Sequence, residues 1–161
     1  MAMFAPRIII LLCLLGAGWV YMSERYDLLF DWQQDRCLNT RVFFVDTWDR
    51  ELDRNHLMVV DFPIDTGPIR KGDLVIKRVV GMPGEVMTYN SMSIETDTGF
   101  QFTSDIRKGA EHIGYTFPER SVLALNNNEY FLAGDLPYSF DSRYWGAINE
   151  QHIYGKAYAV F

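Results

Sequence analysis

Lys77 stands at the centre of an apolar run, Asp73–Val80 (DLVIKRVV), with Leu74, Val75, Ile76, Val79 and Val80 around it. Successive side chains of a strand point to opposite faces, so Lys77 and Arg78 diverge and at least one charge meets a core. Two readings are open. A lysine can lay its stem on apolar surface while its amine reaches water. Alternatively the amine is desolvated among Ile and Val side chains, which favours the uncharged form and suits a general base. Asp141 and Arg143 sit two apart and share a side if that segment is extended. Taken alone, such a pair stiffens a loop and contributes little.

The other residue types with chemical potential are sparse. The chain has two cysteines, Cys13 and Cys37, and three histidines, His56, His112 and His152, each isolated in sequence. No Cys/His cluster has the spacing of zinc ligands, so neither a metal nor another cofactor is expected. The histidines read as partly exposed structural residues. Cys13 lies inside an apolar N-terminal run, which argues against a Cys13–Cys37 disulfide.

The elements that must position these groups follow from composition and periodicity. A chain of 161 residues with 48% hydrophobic content holds one domain and a small appendage. Fifteen Lys and Arg against 21 Asp and Glu give a net charge of −6, which argues against a nucleic-acid partner. Aromatic residues at 15% suit a β-rich domain, a peptide-binding surface or a membrane interface.

Ile8–Met22 (IIILLCLLGAGWVYM) carries no charge. Trp19, Tyr21 and Tyr26 lie where an interfacial aromatic belt belongs. Three readings fit this run: a cleaved signal peptide with a poor cleavage signal at Leu15-Gly16-Ala17, a soluble core helix, and a single transmembrane anchor. The anchor fits the belt and the lack of a clean cleavage site. The amino terminus and Arg7 precede the run while Glu24, Arg25 and Asp27 follow it, so the positive side is the short N-terminal one and the remainder of the chain is expected on the extracytoplasmic side of the inner membrane, single-pass. Leu28–Trp32 reads as an interfacial turn or a continuation of the helix. Residues 1–32 are thus expected to form a cytoplasmic tip, anchor and interfacial segment, and 33–161 an extracytoplasmic β domain.

Beyond Trp32 the periodicity becomes that of strands. Arg41–Asp46, Leu57–Phe62, Asp73–Val80, Val86–Asn90, Met92–Glu95, Phe100–Thr103, Val122–Leu125, Glu129–Ala133 and His152–Phe161 are short β-rich segments separated by Gly, Pro, Asn and Asp. Thr47–Arg54 reads as one helical turn or a loop. The expected fold is mainly β: a compact antiparallel β domain hung from one N-terminal transmembrane helix.

Lys77-Arg78-Val79-Val80-Gly81-Met82-Pro83-Gly84-Glu85 resembles the lysine-bearing box of type I signal peptidases. The stretch Gly134–Gly146 (GDLPYSFDSRYWG) resembles the downstream box of that family. Gly72-Asp73-Leu74-Val75 is similar to its intermediate segment, and Gly155-Lys156-Ala157 to its closing strand. The order is right, and the resemblance covers roughly residues 37–161. It implies a membrane-bound endopeptidase that cuts leader peptides outside the membrane with a nucleophile and a lysine base. By the same resemblance Lys77 is the base, Ser139 orients it, and Asp141 with Arg143 holds the second box against the site. The bilayer and an extended leader peptide, with small residues beside the cut and bound as an added strand, are the implied partners.

The nucleophile segment departs from the family pattern. No serine lies between Ser23 and Ser91. Arg36–Phe43 (RCLNTRVF) is most similar to a conjugative-transfer branch of the family, with Cys37 where the serine stands and Asn39 where proline is usual. A thiol needs less help from a base than a hydroxyl does, so Cys37 is chemically sensible as a nucleophile. A small buried hydrophobe is the bland alternative, and Thr40 is a weaker candidate. Asp35 stands where the family often has a hydroxyl that donates to the oxyanion, and a carboxylate there opposes one. Two functions from different classes therefore compete: a leader peptidase with a Cys37–Lys77 dyad, acting on pre-protein, pre-pilin or conjugation substrates, and a catalytically degenerate scaffold of a secretion or conjugation assembly.

Overall fold

The structure is a computed structural model and describes residues 5–160. Residues 1–4 of the expected tip, and Phe161 at the end of the last expected strand, lie outside the described residues. Helix α1 (Ala5–Arg25) has 21 residues, about 31 Å at 1.5 Å per residue, which matches a hydrocarbon core of about 30 Å. It outruns the charge-free segment because Ser23–Arg25 continue the helix. Its Ile8–Arg25 part has a mean hydropathy of 1.5 and buries nothing against the rest of the chain. That exposure overturns the core-helix alternative.

Strand β1 (Tyr26–Phe30) follows α1 with no intervening residue. The expectation of an interfacial turn or helical continuation at Leu28–Trp32 is thereby corrected. Tyr26–Phe30 pairs along its whole length with β2 (Val42–Asp46), from Tyr26↔Asp46 to Phe30↔Val42, so the β unit begins at Tyr26 rather than at residue 33. The corner is clamped: Arg25 bridges Asp46 at 2.6 Å, the Thr47 hydroxyl donates to the Arg25 carbonyl at 2.9 Å, and Tyr21 meets Trp48 edge-on at 5.2 Å.

The remaining elements are β3 (Leu57–Asp61), β4 (Leu74–Gly81), β5 (Val86–Tyr89), β6 (Ser93–Thr96), β7 (Gln101–Thr103), α2 (Arg107–Ile113), β8 (Ser121–Ala124), β9 (Glu129–Ala133), α3 (Ser142–Trp145), β10 (Ile148–Asn149) and β11 (Ile153–Ala159). They form a seven-stranded sheet in the order β1-β2-β11-β3-β4-β9-β10 and a four-stranded sheet in the order β7-β6-β5-β8. Every pairing is antiparallel. Each expected strand is present, with ends displaced by at most two residues and Glu129–Ala133 unchanged; Thr47–Arg54 is a loop.

Alternation along the strands divides the core. Met58, Val60, Phe62, Val79 and Leu132 pack together, whereas Val59 joins Phe43, Val45 and Leu38. Val80, Met87, Ile94, Phe131 and Ala133 form a further cluster that joins the two sheets. Glu85 ties the sheets as well, accepting from Met82 N at 2.8 Å and Thr98 Oγ1 at 2.6 Å and pairing with Arg54. Gly81 is required at the crossing, because a Cβ there would lie 2.6 Å from Met87 Sδ and 2.7 Å from Phe131 Cβ.

The register of β4 matters most for function. Its residues 74–78 pair with β3 on one side. On the other side β9 pairs only with Arg78, Val79 and Gly81. Leu74–Lys77 therefore presents an edge without a strand partner among the described residues, and unpaired edges are where an added strand can dock.

Candidate active site

Lys77 lies opposite Met58 in β3, two residues before Val79, and both of those neighbours are fully buried. It is itself only 1% exposed, so the solvent-reaching alternative for this lysine fails. Its Nζ stands 3.4 Å from Ser139 Oγ. Arg78 takes the other face, as strand alternation demands, and binds Asp135 through two contacts of 2.8 and 2.7 Å.

Ser139 sits in the loop between β9 and α3, a segment closed on itself by Asp141. That carboxylate accepts five hydrogen bonds. Oδ2 takes Ser139 Oγ at 2.9 Å, Gly134 N at 3.1 Å and Arg143 Nη2 at 2.7 Å. Oδ1 takes Arg143 Nε at 3.0 Å and Arg143 N at 3.2 Å, the latter also capping α3. Neither member of the Asp141–Arg143 pair exposes any side-chain surface. Burial alone would push the Asp141 carboxyl up, but Arg143, then Lys77 and Gly134 N, outweigh it and hold the group below the usual carboxylate range. Asp141 is therefore an ion, and the Ser139 proton is committed to it. The Ser139 oxygen is left as an acceptor for a Lys77 N–H, which fixes where the amine points.

Ser104, at the end of β7, completes the frame. Its carbonyl accepts from Arg143 Nη1 at 2.5 Å and its hydroxyl donates to the Gly134 carbonyl at 2.8 Å. Gly134 is thus held at both its N–H and its C=O. It can only be glycine, since a Cβ would lie 2.2 Å from Ser139 Oγ and 2.7 Å from the Cys37 carbonyl. The residues just after it, Asp135 and Leu136, donate their N–H groups to the Cys37 carbonyl at 2.8 and 3.2 Å. The downstream box therefore both aims the lysine and pins the cysteine-bearing loop.

Cys37 and Lys77 line one cleft of about 670 Å³, together with Asp35, Ser139 and Tyr138. Leu29–Trp32 form one wall, and Pro68, Ile69 and the open edge Asp73–Ile76 another. Cys37 is half-buried and unbridged. Of the sequence-expected site residues the structure groups Cys37, Lys77 and Ser139 on the cleft, with Asp141 and Arg143 directly beneath. Thr40 is not among the cleft-lining residues. His112 of α2, read as a structural histidine, does line it. Ser104 was missed because its partners lie 30 and 39 residues further on, beyond the reach of any local pattern.

A signal peptidase I from Enterococcus faecalis V583 superposes with a TM-score of 0.46 at 23% identity, over 67% of this chain and 97% of that one. Signal peptidase I V of Bacillus subtilis (strain 168) is 32% identical over 105 residues, 59% of this chain and 61% of that protein's length. The family model described as "Signal peptidase, peptidase S26" matches residues 1–161. The chain therefore belongs to the signal peptidase family, peptidase S26.

Proposed function

We propose that this chain is a membrane-anchored endopeptidase that cleaves leader peptides with Cys37 as nucleophile and Lys77 as proton carrier. The observation that carries the reading is a buried lysine amine aimed by Ser139 into the cleft that Cys37 lines. Membership of a signal peptidase family supports peptidase chemistry on leader peptides. The peptide lies extended along the open Leu74–Lys77 edge, which supplies backbone hydrogen bonds and brings its carbonyl to the cleft. Helix α1 anchors the chain, with the β unit on the extracytoplasmic side.

In the first half-reaction Lys77 takes the Cys37 thiol proton, and the sulfur attacks the scissile carbonyl carbon. The Cys37 N–H is the donor assigned to the developing oxyanion on this reading. The Lys77 ammonium then protonates the leaving amine as the peptide C–N bond breaks, leaving a thioester. Lys77 next accepts a proton from water, whose oxygen attacks the thioester carbonyl. The C–S bond breaks and the proton returns to sulfur. Ser139 and Asp141 keep the amine in position throughout. The similarity of Arg36–Phe43 to the conjugative-transfer branch points to a pre-pilin or conjugation leader as the substrate.

Asp35 favours a second reading. It is exposed, it lines the cleft beside Cys37, and its charge opposes an oxyanion. On that reading the chain is a scaffold of an assembly that keeps the fold without the activity. Cleavage of a pre-protein by the detergent-solubilised full chain decides between them. Cys37→Ala and Lys77→Met each reduce cleavage to background if the dyad operates. Undiminished cleavage by either variant ends the dyad mechanism. Full complementation by Cys37→Ala in a conjugation or secretion assay supports the scaffold.

A further inference from the structure

A second groove, of about 480 Å³, opens beside α2 and α3. It is not separate from the catalytic cleft: Pro68, Ile113, Phe140 and Tyr144 line both. The two differ in chemistry. The cleft is lined by Asp31, Asp35, Asp73, Lys77 and His112 among others. No charged side chain lines the second groove, whose remaining walls come from Ile64, Thr66, Tyr115 and Trp145. The Thr66 hydroxyl is already spent on the Ile69 carbonyl at 3.2 Å.

The walls are built in advance. Tyr144 is a hub whose ring meets Phe140 at 4.7 Å, Phe117 at 4.7 Å and Tyr115 at 5.2 Å. Trp145 packs edge-on against the buried Phe62 at 5.2 Å. Rings locked in this way lose little freedom when a ligand arrives. Ile64, Ile113 and Tyr115 stand 53%, 46% and 42% exposed, an apolar rim that only an apolar occupant removes from water. The Trp145 indole N–H is, among the described residues, the one solvent-shielded side-chain donor without an acceptor. The volume falls within the range of about 300–1,000 Å³ typical of ligand sites.

We infer that this groove is an extension of the peptide site that takes a bulky apolar side chain, aromatic or long aliphatic, of the same extended peptide, at a position beyond the residues flanking the cut. The inference rests on the leader-peptidase reading for the identity of the occupant. Continuity with the cleft names the peptide, because a chain lying along Leu74–Lys77 and past Pro68 runs into the groove. The absence of charge names the side chain. Specificity then has two separate sources: steric fit beside the scissile bond, and apolar burial at a distance from it.

The test uses the full chain in detergent and a synthetic leader peptide in which a single Leu is moved through a Ser/Ala background. One position beyond the cut is expected where Leu raises kcat/KM about tenfold over Ser. In the Ile64→Ser/Tyr115→Ser double variant the Leu-to-Ser ratio at that position falls toward one. Both residues line only the second groove, so a ratio is read rather than an absolute rate. A flat profile in the wild type, or a preference that survives in the double variant, overturns the inference while leaving the peptidase reading intact. Benzoylphenylalanine at the same peptide positions gives a readout that needs no cleavage. Photocrosslinks to Ile64, Thr66, Tyr115 or Trp145, which line the groove and not the cleft, support the groove even if no peptide is cut, which would count against the dyad alone. Crosslinks elsewhere, or none, count against the groove.

Discussion

Two Asp–Arg pairs in this chain share one design. Asp141 meets Arg143 at 2.7 Å and Asp105 meets Arg107 at 2.6 Å, each carboxylate two residues before its guanidinium. Their surroundings differ completely. Asp141 and Arg143 have no exposed side-chain surface, while Asp105 and Arg107 keep 47% and 59% of theirs. The exposed pair touches mainly its own segment, where Asp105 also receives Arg107 N at the start of α2. The buried pair reaches Gly134, Ser139 and Ser104 and through them Lys77 and the Cys37 loop. Sequence spacing makes both pairs; burial decides that one is an ornament of a loop and the other a frame for a site.

The sharpest way to break this comparison is to cut each pair. Arg143→Ala leaves Asp141 buried and uncompensated, and should lower the unfolding free energy by about 3–5 kcal/mol in urea titrations followed by tryptophan fluorescence. Arg107→Ala should leave the midpoint where it is. Next in size is Gly134→Ala, which forces a methyl group onto Ser139 and the Cys37 carbonyl. Peptidase activity is expected to fall about 100-fold from sub-ångström displacement of the dyad, alongside a loss of about 1–3 kcal/mol from overpacking. Acidification sharpens the contrast further. The folded-state Asp141 carboxyl lies below its ordinary value of 3.8, so it contributes stability above that value and loses it as pH falls through the depressed one. Thermal midpoints of the wild type should drop steeply below about pH 4. Asp141→Asn should start lower at neutral pH and drop less. Asp105 is held down at about 2 by Arg107, yet in open solvent its replacement by Asn should shift the acid limb only slightly. The smallest effect is on chemistry alone: a thiol-directed probe should label Cys37 more slowly in Lys77→Met than in wild type at the same pH, with the fold unchanged.

Much of the architecture was legible because strands announce themselves locally. Leu57–Asp61 and Leu74–Gly81 alternate around residues that are now seen split between different cores. Tyr26–Phe30 was not legible, since five residues directly behind an apolar helix carry the helix's composition, and only β2 shows them to be a strand. Helix α2 (RKGAEHI) was missed for a similar reason: seven residues with a glycine at the third hold too short a stripe to register. The candidate residues could be picked out from their boxes, but not the geometry that brings them together. That Lys77 is buried, and that the Ser139 proton is spent on Asp141, depends on contacts spanning up to 62 residues.

The corner between α1 and β1 has a mechanical consequence. No spacer separates Arg25 from Tyr26, and Asp46, Thr47 and Trp48 grip the turn, so the corner resists bending between the helix and the first strand pair of the seven-stranded sheet. For a protein anchored as proposed, a lean of the helix within the lipid is passed through this corner to the sheet and the cleft it carries. On that proposal the reach of the groove above the headgroups is set by the tilt of the helix, and a peptide bond would be presented to it according to how far it emerges from the bilayer.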